Sequence, residues 1–280
     1  MSRYKIVHKT GFKYAAEVGA SYNEVRLMPR RDDSQLVFSS KLEINPHGSV
    51  HEYLDFFGTR SAVFEVLEPH TELNIVSTSI VEVRITSEPK ASLGWKSLAS
   101  AIPRSLELVD SVTQTRRTQP PQDLVKSAKK FAESLDPHSA ALEICKKIFK
   151  SMTYKHGVTG VHSVASEAWK QKVGVCQDFA HITLGALRAV GVPARYVSGY
   201  LYPATDRHIG EVVVGESHAW VEWWAGKWYA FDPTNDIDVA DRHIVVGYGR
   251  DYDDVPPLRG VFSGGIESEL FVSVEITKEA

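Results

Sequence analysis

Cys176, His218 and Asp232 are the residues whose types and settings could perform chemistry in this chain. Cys176 stands in Gly174-Val175-Cys176-Gln177-Asp178-Phe179-Ala180, after a Gly-Val turn and at the start of an apolar-periodic stretch. A helix N-terminus lowers a thiol's pKa and favours the nucleophilic thiolate. Glu216-Ser217-His218-Ala219-Trp220 offers a base, and Phe231-Asp232-Pro233-Thr234-Asn235 a carboxylate to orient it. The order Cys, His, Asp fits an acyl-transfer triad. Asp178, in the first helical turn, suits the helix dipole but opposes thiolate formation, so the histidine and the helix N–H groups must offset it.

Strand register decides whether the last two residues meet. If Ala225-Gly226-Lys227 is a three-residue loop, Trp224 pairs with Trp228 and His218 lies opposite Thr234. Asp232 is then a diagonal neighbour of His218 on the same face, with Cα atoms roughly 7–8 Å apart. A two-residue loop would pair His218 with Pro233 and turn Asp232 to the other face. The triad therefore predicts the longer loop or a bulge.

Other chemistries fit less well. Cys176, His181, His218 and Asp232 are zinc-type ligands, yet Cys176 and His181 are a poor facing pair on a helix, and no paired Cys-x-x-Cys or His-Glu-x-x-His occurs. No metal or cofactor is expected, and no glycine run matches a nucleotide-binding loop. Cys145 lies in a helical pattern and reads as a core residue. His156, His162, His208 and His243 lack ligand spacing and read as loop or surface residues. The net charge of −3 over 280 residues argues against a nucleic-acid partner. No apolar run approaches membrane-span length, and Met1-Ser2-Arg3-Tyr4-Lys5-Ile6 has no signal-peptide h-region. The expected setting is the cytoplasm, away from membranes.

The elements that must position these residues change type along the chain. Residues 1–95 carry alternating runs, such as Tyr4, Ile6 and His8, and Val81, Val83 and Ile85, broken by Asn45-Pro46-His47-Gly48 and Phe57-Gly58-Thr59. This predicts a β-sandwich domain. Residues 96–121 are weakly periodic and read as a connecting segment closed by Pro120-Pro121. Residues 122–280 then read as a catalytic domain. Helices are predicted from Gln122 to Leu135, Ala140 to Met152 and Ser163 to Lys170, with Ser163 as N-cap. The cysteine helix follows, ending at Gly191, and then strands. Helices followed by an antiparallel sheet make the class α+β.

At these blocks the chain resembles the transglutaminase-like superfamily, and most closely its bacterial two-domain members. The matching residues are the Cys176, His218 and Asp232 blocks, Gly191-Val192-Pro193-Ala194-Arg195-Tyr196-Val197-Ser198-Gly199-Tyr200, and the tail from Gly249 to Gly260. His8-Lys9-Thr10-Gly11-Phe12-Lys13-Tyr14 and Glu24-Val25-Arg26-Leu27-Met28-Pro29-Arg30 are similar to that family's N-terminal β domain. Gly58-Thr59-Arg60 departs from it, where relatives often have Gly-Asn. The resemblance implies a papain-like core, with the cysteine helix packed on the sheet that carries His and Asp. It implies acyl transfer at an amide of a protein or peptide substrate through a thioester, without choosing between peptidase, amide hydrolase and cross-linker. The expected activity is cysteine-protease-like amide hydrolysis. The alternatives are protein-glutamine cross-linking and a non-catalytic binding module. The Cys176 N–H is the expected first oxyanion donor, and Trp169, Gln171 and Gln177 are candidates for the second.

Overall fold

The computed structural model describes residues 1–84, 92–157, 160, 162–203, 208–215 and 217–280. Ile85, expected to close a strand face, and Glu216, in the histidine block, lie outside the described residues.

The chain opens with β1 (Ser2–Val18), β2 (Ser21–Val25), β3 (Gln35–Asn45), β4 (Val50–Leu54), β5 (Arg60–Val66) and β6 (His70–Val83). Helices α1 (Trp95–Ala101), α2 (Leu106–Val112), α3 (Gln122–Ser134) and α4 (Pro137–Ser151) come next, then β7 (Thr153–Tyr154), α5 (Ala165–Gln171), β8 (Val173–Gly174) and α6 (Cys176–Ala189). Strands β9 (Ala194–Leu201), β10 (Val212–Gly215), β11 (Ser217–Trp224), β12 (Trp228–Asp232), β13 (Ile237–Asp238), β14 (His243–Gly249), β15 (Leu258–Phe262) and β16 (Ser268–Lys278) complete it. The class is α+β, as the sequence predicts.

Two sheets form the N-terminal sandwich, ordered β10-β16-β1-β6-β3 and β15-β2-β5-β4. Their shared core includes Tyr14, Val25, Met28, Phe64, Leu73 and Ile75. Alternation along β1 buries Tyr4, Ile6, His8 and Thr10 and exposes Lys5 and Lys9, the period-two pattern of a strand with one covered face. The early part of β1 has a second task. Tyr4 and Ile6 pack, with Val274 and Ile276, against Tyr200, Ile244 and Val246 of the third sheet and the adjoining Tyr202. That sheet is ordered β13-β12-β11-β9-β14.

The division at residue 122 needs correction at the C-terminal end. β15 pairs with β2, and β10 and β16 join the sheet of β1. Strand alternation gives a strand's buried face but not its partner, and the partners of β15 and β16 in β2 and β1 are over two hundred residues away. The connecting segment also contains α1, a 3-10 turn at Ile102–Arg104, and α2. α1 buries only Leu98, and α2 only Leu108 and Ser111. Seven-residue helices with one or two buried positions leave little periodicity to read. Ser163 does not cap α5, whose N-cap is Val164.

α6 is the centre of the helical half. It touches α3, α4 and α5 on one side and β9 and β11 on the other. Its residues from Gln177 to Arg188 are accordingly all buried, as expected of a helix enclosed all round. Gly191, at φ +80°, takes the left-handed conformation just beyond its end. Buried Arg188 ties α6 to its surroundings by donating to the carbonyls of Ser111, Ala194 and Arg250. At the interface between halves, the Gln35 side chain donates to the Val245 carbonyl and accepts from its N–H, both at 2.8 Å. It thereby substitutes for a strand partner beside the β14 bulge.

Gly185 lets the 114–118 segment lie directly on α6. A Cβ there would sit 1.9 Å from the Thr118 carbonyl oxygen, and Gln114 donates to the Gly185 carbonyl at 2.8 Å. Gly185→Ala should destabilise the fold by roughly 1–3 kcal/mol despite the helix preference for alanine. Urea unfolding monitored by tryptophan fluorescence checks this, and a variant as stable as wild type would show that the contact relaxes freely.

Candidate active site

Cys176 is the first residue of α6, half-buried, with Val175 as N-cap in extended conformation. Helix geometry gives the N–H groups of the first turn no intrahelical acceptor, so those of Cys176 and Gln177 point out of the helix start. The turn is held by Asp178. Its carboxylate reaches back to accept from the Val175 N–H at 2.9 Å and from the Ser163 hydroxyl at 2.5 Å. Gly174 makes room for this: a Cβ there would lie 2.7 Å from an Asp178 carboxylate oxygen. Asp178 thus spends its charge on cap donors, which moderates its opposition to a nearby thiolate.

The β11/β12 hairpin has the longer loop. Trp224 pairs with Trp228, and the register continues through Val221 opposite Phe231. His218 and Asp232 therefore share a face, and His218 Nε2 lies 2.7 Å from Asp232 Oδ2, a distance typical of a charge-assisted bond. His218 also pairs across β11/β9 with Gly199. A side chain at Gly199 would strike the Trp220 ring, and that ring lies beside His218 in near-parallel orientation, 6.1 Å between centroids.

Asp232 has no exposed surface and is satisfied from several directions. Its Oδ1 accepts from the N–H groups of Thr234 and Asn235 at 2.9 and 3.2 Å. Its Oδ2 accepts from Asn235 Nδ2 at 2.7 Å as well as from His218. Burial opposes its charge, but the hydrogen bonds from His218 and His243 and the His218 charge hold its pKa well below the usual carboxylate range. For His218, burial pushes the imidazole down. Hydrogen bonds with Asp232 and Cys176, and their charges, outweigh that and raise it to about 10. With Nε2 committed to Asp232, Nδ1 is the nitrogen left for the Cys176 side chain.

His243 was expected in a loop or at the surface. It is buried at the start of β14, with Nε2 3.4 Å from Asp232 Oδ2. The Ala240 N–H donates to its Nδ1 at 3.3 Å. The proton therefore sits on Nε2 and faces the carboxylate. Ligand-spacing rules cannot find such a residue, because its partner lies across the sheet. Its place at the head of the apolar run Ile244-Val245-Val246, in a strand buried at every position, was the one available signal.

The other candidates separate. Cys145 is fully buried, and burial pushes its thiol pKa far up. His181 is buried and accepts from the Tyr252 N–H at 3.1 Å, and burial holds it neutral with a pKa of about 3. It does not join the other three. Trp169 donates its indole N–H to Asp123 at 2.9 Å, which removes it as an oxyanion donor. Gln171 is outside the cleft lining, whereas Gln177 is within it. That cleft, about 350 Å³, contains Cys176 and His218 and is walled on its far side by β1 and β16.

Comparison with known proteins agrees with this architecture. Residues 4–82 match the bacterial transglutaminase-like N-terminal region, and residues 126–233 match the transglutaminase-like superfamily. An uncharacterized protein of Mycobacterium leprae is 40% identical over the whole of both chains. A Mycobacterium tuberculosis protein, also uncharacterized, is 35% identical, covering 98% of this chain and 92% of its own. A candidate cysteine protease from Cytophaga hutchinsonii has the same fold, with TM-score 0.79 at 21% identity, over 100% of this chain and 91% of that one. The chain belongs to the transglutaminase-like superfamily.

The raised His218 pKa has a stability consequence. A group raised from 6.5 to about 10 in the folded state contributes fully below the unfolded pKa and loses that contribution as pH rises through the folded one. The stability margin of wild type over His218→Gln should be largest near pH 6 and shrink towards pH 10. Urea titrations of both proteins across that range measure it, and a margin that grows with pH would contradict the charged His218.

Proposed function

We propose that the protein is a cysteine-dependent amide hydrolase acting on proteins or peptides through Cys176, His218 and Asp232. The Cys176 sulfur attacks the carbonyl carbon, and its proton is held by His218. The carbonyl π-pair moves to oxygen, where the Cys176 N–H can stabilise it, with Gln177 the remaining candidate for the second donor. The C–N bond then breaks, and the leaving nitrogen takes the proton from His218, leaving a thioester. Water attacks the thioester, giving a proton to His218; the C–S bond breaks and the carboxylic acid leaves. Asp232 fixes the imidazole's tautomer and stabilises its cation.

The observation that carries this reading is an imidazole largely withdrawn from water, bonded at 2.7 Å to a fully buried carboxylate, that lines one cleft together with a thiol at a helix start. A packing role for His218 would not call for a buried anion beside it. Water is favoured as acceptor because no Asp, Glu, Lys or Arg is among the described residues lining the cleft. A lysine acceptor arriving as its ammonium would meet no carboxylate among those residues. Cross-linking is the second reading. It is favoured by the 36% identity, over 101 residues, to a Pseudomonas aeruginosa protein-glutamine gamma-glutamyltransferase, although that stretch is 34% of this chain and 14% of that protein. Two cysteines free of disulfides suit the cytoplasm as the working compartment. No helix among the described residues is long and apolar enough to cross a membrane.

Cys176→Ala should abolish activity with little loss of stability, and Cys145→Ala should retain activity. The deciding assay incubates a glutamine-containing peptide with excess labelled primary amine. Hydrolysis gives free acid or cleaved peptide with little label; dominant amine incorporation would reverse the order of the two readings. The alkaline limb of kcat/KM should fall as pH rises through about 10, where His218 can no longer protonate the leaving nitrogen. Activity persisting in Cys176→Ala would end the triad reading altogether.

A further inference from the structure

The far wall of the cleft comes from the N-terminal sandwich. On β16, Leu270, Val272 and Val274 alternate along one face, and on β1 Thr10 pairs with Val272 and His8 with Val274. All five line the cavity that contains Cys176. Leu270 and Val272 are half exposed, at 50% and 51%. Large aliphatic side chains on a sheet beside a nucleophile, with water on them, are surface that a substrate can cover.

The floor of this wall has a defined polarity. Tyr200 donates its hydroxyl proton to the Leu27 carbonyl at 3.1 Å. Its oxygen lies 2.8 Å from His8 Nδ1, and with its own proton committed it must accept there. The His8 proton is therefore on Nδ1, and Nε2 presents a lone pair. That Nε2 is shielded from solvent and has no hydrogen-bond partner among the described residues. Burial also keeps the ring neutral, with a pKa of about 4. An unmet buried acceptor is unfavourable, and a substrate donor would remove that cost. The Thr10 hydroxyl proton is committed to the Phe271 carbonyl, so of the two polar side chains of β1 in this wall it is His8 whose ring nitrogen lacks any partner among the described residues.

We propose that this wall is a subsite for an uncharged, apolar residue flanking the scissile amide, with Leu270 and Val272 covering its side chain and His8 Nε2 accepting a substrate N–H. The inference rests on Cys176 being the nucleophile and assigns the N-terminal sandwich to substrate selection. It makes His8, Leu270 and Val272 specificity-determining residues of the same site.

Acetyl-aminoacyl chloromethyl ketones test it, because Cys176 thiolate displaces chloride to form a stable C–S bond whose rate reports occupancy. The side chains compared are leucine, aspartate and lysine, and the leucine probe is also made with its amide nitrogen methylated. Iodoacetamide, which lacks a side chain, reports the thiolate alone. Wild type should react with the leucine probe at least about 10-fold faster than with the charged ones, and N-methylation should cost a similar factor. His8→Phe should react equally with the N–H and N-methyl probes while keeping its iodoacetamide rate. Val272→Lys, at an exposed position that tolerates the change, should shift preference towards the aspartate probe. A normal iodoacetamide rate with no preference among side chains would overturn the subsite. Undiminished sensitivity to N-methylation in His8→Phe would overturn the His8 contact. Slow, pH-independent alkylation by iodoacetamide would instead overturn the underlying reading of Cys176.

Discussion

The Asp232 carboxylate is the constraint on which the rest of the site depends. A charge with no exposed surface is strongly unfavourable unless it is paired and hydrogen-bonded. Its donors come from three places: His218 on β11, Thr234 and Asn235 in the turn after β12, and His243 on β14. Strands β12 and β14 lie on opposite sides of the β11-β9 pair. Satisfying one anion therefore fixes the relative positions of nearly the whole sheet. The same bonds set the orientation of His218, so the stability of the sheet and the geometry of the site are one problem.

The cysteine side is built on a different principle. α6 is enclosed by three helices and the sheet, so its first residue cannot move without repacking the core. Gly174, Asp178 and Ser163 form a small polar lock at its start. Gly185 and Arg188 fasten its later turns to the segment from Ser111 to Thr118. The proposed nucleophile, Cys176, thus stands on a helix packed on all sides, which is where a reacting atom is best held. That segment reads as a linker in sequence because its helices are short, yet it is the clamp on α6.

What was legible in the sequence was local. The position of Cys176 followed from a turn, a periodic stretch and Gly191. The alignment of His218 with Asp232 was legible only as a condition on loop length, since strand parity brings them together for a three-residue loop and parts them for a two-residue one, and Trp224 opposite Trp228 meets that condition. What was not legible was long-range. Nothing in the alternation of Ser268–Lys278 says that it pairs with β1 rather than with the catalytic sheet. His243 lies eleven positions from Asp232 in sequence, with no spacing rule to connect them. His8 read as one of several inward residues of a strand, and only the fold brings it to Tyr200 and the cleft.

Two histidines near this cleft show how partners, more than burial, decide charge. His8 and His218 are both largely withdrawn from water. His8 faces a tyrosine hydroxyl, which can accept its proton but carries no charge to stabilise a cation, so desolvation prevails and the ring stays neutral. His218 faces a carboxylate and a thiol, and the same desolvation is overcome. Neutral His8 can offer a lone pair, whereas protonated His218 can deliver a proton. The cleft thus contains one histidine suited to binding an uncharged donor and one suited to protonating a leaving group. They come from the two halves of the fold, and the strand pairing of β16 with β1 is what sets the first of them in the wall facing the second.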